Sequence, residues 1–166
     1  MISIRPATVR DMTFVASNMR DQDRREITAV IEESDTVIGY MLFASSPGLA
    51  WCGWLDGQPV AAFGVSRLYA GLGGGWAYMT PRGVRLVPAI TRFALRHVKR
   101  QLIAEGFRRI EVRTAIDHDI SHKWLARLGF HLEGTAYDYG AGGLDFLTFA
   151  ATAKRNKSHV LFSQSP

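Results

Sequence analysis

Ser121-His122-Lys123-Trp124-Leu125-Ala126-Arg127-Leu128-Gly129-Phe130-His131-Leu132-Glu133-Gly134 reads as a helix that stops and a strand that follows. Ile120 to Leu128 forms a compact helix. Gly129 supplies the left-handed cap that glycine adopts without strain, and Phe130 to Thr135 continues as extended chain. Upstream, Arg109-Ile110-Glu111-Val112-Arg113-Thr114 alternates polar and apolar side chains as a half-buried strand does. Downstream, a glycine-containing turn over 140–143 leads into a last strand from Leu144 to Ala150.

Ahead of this unit, Gly106 stops a long helix read over 84–104. Val84, Val87, Ala94, Val98 and Leu102 lie near one face of it, widened by Ile90, Leu95 and Ile103. Pro88 suits a regular helix that begins about there. Trp76-Ala77-Tyr78-Met79-Thr80 reads as a strand ending at Pro81, preceded by a flexible turn over Gly71 to Gly75. Asp56-Gly57 is a tight-turn signal joining strands at 50–55 and 59–65 into a hairpin. At the start, Ile2 to Arg5 alternates and stops at Pro6. Thr8 and Asp11 then form a capping box for a helix with Met12, Val15, Ala16 and Met19 on one face. Residues 21–31 form a second helix. Asp35 caps a short third through Val37, Ile38, Met41 and Leu42, although Gly39 and the β-branched residues keep a strand open as the alternative.

The 166 residues suit one domain, read as 1–152, with a polar C-terminal arm over 153–166 carrying Val160-Leu161-Phe162. A hydrophobic share of 47% and a charged share of 21% exclude a disordered chain or a disulfide scaffold. No apolar run reaches membrane-helix length, and the start lacks a basic segment followed by an apolar one, so neither insertion nor export is expected. The single Cys52 sits in a strand and reads as structural. Charge is uneven: residues 82–109 hold eight Lys/Arg against Glu105 alone, a net of +7, while the whole chain carries +5. Such a segment can steer phosphate groups, nucleic acid bound nonspecifically, or an acidic protein surface; a solvated helix face is the other reading.

The order strand, two or three helices, three antiparallel strands, long helix, strand, short helix, two strands resembles the GNAT N-acetyltransferase superfamily fold. That is an α/β (α+β) architecture with a mixed central sheet of about six to seven strands and helices on both faces. The segment from Ser121 to Gly134 is similar to the family's helix ending in Leu-Gly-Phe and strand with Glu-Gly. Ile4-Arg5-Pro6-Ala7-Thr8 with Asp11 is similar to its opening. The resemblance implies an acetyl-CoA site in which glycines and a helix start hold the pyrophosphate. Its candidate contacts are Met79, Thr80, Arg82, Gly83, Val84 and Arg85, with Asp119 at the last helix. Two departures weaken that activity. Arg85 and Val87 stand where the family has small residues, leaving arginine's guanidinium fork as the remaining way to hold phosphates. Leu125 stands where many members carry a proton-donating tyrosine, so His122 or water would have to act instead.

Candidate catalytic residues are therefore Glu111, able to hold a water that deprotonates an amine, His122 and the alternative cleft residue Tyr78. The ordinary readings stand beside them: Glu111 on a paired strand face, His122 satisfying a backbone group, Asp119 capping its helix. No metal site is expected from His118 and His122 alone. The sequence around 119–129 also resembles the GNAT-like internal virion proteins of short-tailed, T7-like bacteriophages. That resemblance implies other virion proteins as partners, a location in the virion and host cytoplasm, and a binding or assembly role with no cofactor required. An oligomer through the arm is a further expectation. The alternative is an active acyl-CoA-dependent N-acetyltransferase modifying a host or phage amine.

Overall fold

The computed structural model describes residues 1–153. The elements run β1 (Ile2–Pro6), α1 (Val9–Ser17), α2 (Asp21–Thr28), α3 (Asp35–Ala44), β2 (Ala50–Leu55), β3 (Gln58–Tyr69) and β4 (Leu72–Met79). A 3-10 helix (Pro81–Leu86), α4 (Val87–Phe93), a π-helical turn (Ala94–Val98) and α5 (Lys99–Ala104) follow. Then come β5 (Arg109–Ala115), α6 (Asp119–Arg127), β6 (His131–Gly140), a 3-10 turn (Ala141–Gly143) and β7 (Leu144–Thr152). The seven strands form one mixed sheet in the order β1-β2-β3-β4-β5-β7-β6, with β4 and β5 parallel through Leu72–Arg109 to Gly74–Glu111. Among the described residues no helix is long and apolar enough to cross a membrane.

The described residues form two compact units, Met1–Arg67 with Gly75–Ile90, and Leu68–Gly74 with residues 91–153. In the first, the Thr8–Asp11 capping box starts α1, and Met12, Val15, Ala16 and Met19 pack with Cys52, Ala62 and Tyr78. Adjacent strand residues point to opposite faces. Cys52 therefore meets α1 while Gly53 faces Leu86, whose side chain fills the space a Cβ at 53 would need. Asp56 and Gly57 both adopt positive φ in the hairpin turn, as their sequence demands. In the second unit β7 pairs with both β5 and β6. Gly129 ends α6 at φ 89, and Trp124 Nε1 donates to Thr91 Oγ1 at 2.9 Å.

Four local expectations need correction. The third element is a helix, but Ser34 caps it: its hydroxyl accepts from the Val37 amide, and Asp35 is the first helical residue. The glycine-rich stretch is not one flexible turn. Only Gly71 takes positive φ, and Gly73 and Gly74 already pair with β5. The helix read over 84–104 is wound as 3-10, α, π and α segments in turn. His118, not Asp119, occupies the cap position of α6, with no side-chain cap bond. The expected arm over 153–166 lies outside the described residues apart from Ala153, whose amide donates to the Arg108 carbonyl at 3.0 Å.

Candidate functional site

In the first unit β4 ends at Met79 and runs through Thr80 directly into the 3-10 helix. A 3-10 helix bonds amides to the carbonyl three residues back, and an amide bonded in this way is no longer offered to a ligand. The Gly83 amide donates to the Thr80 carbonyl at 2.9 Å, and the Val87 amide donates to the Val84 carbonyl. Pro81 has no amide to offer. Gly83, the turn's only glycine, is buried. A Cβ there would run into the Val60 carbonyl oxygen and lie 2.7 Å from Met79 Cβ. Its missing side chain is therefore used for close packing against β3.

The last residues of β4 are equally engaged. The Met79 amide donates to the buried Asp23 carboxylate (Oδ2, 2.9 Å), the Met79 carbonyl accepts from the Arg20 amide (2.9 Å), and the Thr80 amide donates to Val60 (2.9 Å). Arg20 Nη2 lies 2.7 Å from Asp23 Oδ1, so the carboxylate that covers the strand end is itself paired. Asp23 and Arg20 were not legible as site residues. Asp23 lies 56 positions from the amide it binds, and a polar helix start carries no signal of that reach. Two polar atoms beside the strand end stay unsatisfied: Thr80 Oγ1 and Arg20 Nε are buried without a hydrogen-bond partner.

Arg82 and Arg85 are exposed, as is Val84. Arg82 Nη2 lies 3.4 Å from Asp56 Oδ2. The Asp56 carboxyl is held below its ordinary value, chiefly by the hydrogen bond from the chain's amino terminus, with Arg82 and Arg85 contributing. A diphosphate cradled on the amides of Met79, Thr80, Gly83 and Val87 does not fit, because those four amides already have protein acceptors and the turn's one glycine is packed against β3.

Tyr78 lies in the core and not in a cleft: it is 0% exposed, its hydroxyl donates to the Met12 carbonyl at 3.1 Å, and its ring stacks on Trp76. Burial raises its pKa well above the usual phenol range. The expected placement in a cleft gives way to packing in the core. Cys52 is buried beside it, and burial, with the Asp11 charge adding, pushes its thiol up to about 12. The thiolate needed for reactivity is absent near neutral pH.

The other candidates lie in the second unit. Glu111 Oε1 accepts from Arg109 Nε at 2.7 Å, while its Oε2 lies 3.8 Å from Arg113. Arg109 also pairs with Glu133, and Arg113 lies over the Tyr139 ring at 5.0 Å. Glu111 is therefore set in an ion-pair strip, where a water would compete with two guanidinium groups. His122 Nε2 lies 3.0 Å from the Ala115 carbonyl, a contact that satisfies this backbone group when the nitrogen carries its proton. Its ring stacks on Phe149, and Nδ1 is 3.8 Å from Asp119 Oδ1. The Asp119 side chain is 82% exposed. Leu125 is buried in the same unit. Among the described residues no three His, Cys, Asp or Glu side chains cluster as metal ligands.

Neither a family model nor a curated protein sequence matches the chain. Solved structures do. Ard1 from Thermoplasma volcanium matches at TM-score 0.71 with 12% identity, over 91% of this chain and 97% of that one. A GNAT superfamily phosphinothricin acetyltransferase from Sinorhizobium meliloti, in complex with AcCoA, matches at 0.69 with 16% identity, over 91% and 88%. Mycobacterium smegmatis RimJ in complex with CoA-disulfide matches at 0.65 with 18% identity, over 98% and 87%. At these identities the likeness is one of fold, and the chain has the GNAT fold.

Proposed function

We propose that this chain is a GNAT-fold protein with a closed acetyl-CoA site, acting by binding or assembly and not by acyl transfer. The observation that carries the reading is the engagement of the β4 exit: the amides of Met79, Thr80, Gly83 and Val87 all have protein acceptors. Helix starts and glycine-rich turns bind phosphates through free amides and close backbone approach. Here both are pre-empted. The resemblance of the segment from Asp119 to Gly129 to internal virion proteins supports a bacteriophage setting, with synthesis in the host cytoplasm and another virion component or an acidic surface as partner. Presence among the proteins of purified particles checks that part, and absence from them removes it.

Titration of acetyl-CoA during thermal unfolding tests the closed site. A ligand at 100 times its dissociation constant stabilises the fold by about 2.7 kcal/mol, or about 5–11 °C for a chain of this size. The expected shift at millimolar acetyl-CoA is none, and a shift of that size would overturn the proposal.

The second reading, an acyl-CoA-dependent N-acetyltransferase, is favoured by Thr80 Oγ1, a buried hydroxyl at the β4 exit that lacks a protein partner. Buried polar groups are ordinarily satisfied, and a ligand atom is one way to do so. Under this reading Thr80→Val would abolish an acetyl-CoA shift that the unaltered chain displays.

A further inference from the structure

Arg92, Arg96 and Arg100 recur every four residues through α4, the π turn and α5, and all three are exposed. In a regular α-helix, positions eight apart fall about 80° out of line. The π turn at Ala94–Val98 closes its hydrogen bonds over five residues and takes up most of that drift. The same widening suits the opposite pattern, Ala94, Val98 and Leu102, of which Val98 and Leu102 are buried. The winding thus places the three arginines in one row on the helix face, with Cα atoms about 6 Å apart along the axis. Among the described residues none of the three arginines meets a carboxylate or any other recorded partner. An ordinary solvated basic face needs neither a straightened row nor an absence of i, i+4 acids. Beside the row, the exposed His97 stacks on Phe93 with ring centroids 4.9 Å apart.

From this we infer that Arg92, Arg96 and Arg100 form a docking row for a nucleic-acid phosphate backbone. Duplex DNA carries one negative charge per about 1.7 Å of axis, so a row about 12 Å long faces several phosphates at once. Guanidinium groups pair with phosphate oxygens through paired N–H donors. The His97 and Phe93 pair offers a ring platform for an unpaired base at the edge of the row. The inference is independent of the state of the acetyl-CoA site, because none of these residues belongs to the β4 exit.

Fluorescence anisotropy of labelled single-stranded and duplex DNA against the full chain tests it over a salt series. Three phosphate contacts contribute a log–log salt slope of about −2.7 on duplex, or about 40-fold weaker binding between about 50 and about 200 mM salt. The triple variant Arg92→Gln, Arg96→Gln, Arg100→Gln should lose that part of the slope while melting as the parent does. The triple Lys variant should keep it, because a point charge still releases a counterion. Binding that favours the single strand and falls at least about fivefold in His97→Ala identifies an unpaired strand. Equal affinity for both forms, indifferent to His97→Ala, identifies contact with the phosphate backbone alone, without a base on the ring platform. An unchanged salt slope in the Gln variant overturns the inference. So does displacement of DNA by polyglutamate at equal charge concentration, which would assign the row to an acidic protein.

Discussion

A methyl group at position 83 would collide with the Val60 carbonyl and crowd Met79 Cβ at 2.7 Å. Gly83→Ala is therefore expected to cost about 1–3 kcal/mol, read as a melting temperature lower by about 2–12 °C. Were the glycine kept open for a ligand, the same substitution would leave the melting temperature unchanged and alter only acetyl-CoA binding. Tyr78→Phe removes the hydroxyl that donates to Met12 and should cost about 1 kcal/mol by urea unfolding. A cleft role for Tyr78 would instead predict unchanged stability. At this scale the sequence was informative where chemistry is local. Thr8 with Asp11, Asp56-Gly57 and Gly129 each name their own conformation, and each adopts it. It was silent where a partner is distant: nothing near Asp23 announces Met79, and nothing near Gly83 announces Val60.

Among elements, α1 and α3 pack against each other at Gly39, where a Cβ would lie 3.0 Å from the Met12 carbonyl oxygen and from Thr13 Cα. Alanine is favoured over glycine within a helix by about 1 kcal/mol. The contact is with backbone, which cannot yield as a side chain can, so Gly39→Ala should destabilise in spite of propensity, by about 1–2 kcal/mol in chemical denaturation. A stabilised Gly39→Ala would mean that the two helices part easily. The same position explains the open sequence reading of α3: its glycine lowers helix propensity because packing requires it, and propensity alone cannot weigh packing. The segmented winding after β4 was missed for a related reason. The apolar positions suit a 3.6-residue period, while Arg92, Arg96 and Arg100 repeat every four, a spacing that a regular helix cannot hold in line.

For the whole molecule, the buried acids of the core tie stability to alkaline pH. Cys52 has an ordinary pKa of 9.0 and is pushed up to about 12 in the folded chain. The native state then keeps a proton that the unfolded state releases. Its contribution is complete below pH 9, falls by up to about 1.4 kcal/mol per pH unit above it, and is exhausted near pH 12. Tyr78, raised from 10.0, adds to the loss above pH 10. Urea midpoints followed from neutral pH upward should decline from about pH 9, and Cys52→Ala should flatten the first part of that decline. A midpoint that does not vary with alkaline pH would contradict the burial of both groups. Fold order was legible at this scale because hydrophobic patterning specifies strands and helices in sequence, whereas the closing of the β4 exit depends on contacts that only the folded chain brings together. Native-state hydrogen exchange of the Met79, Thr80 and Gly83 amides, with and without acetyl-CoA, addresses that closing most directly. A closed exit gives slow exchange in the free protein and rates that acetyl-CoA leaves unaltered. Fast exchange at all three amides, slowed on addition of acetyl-CoA, would contradict it.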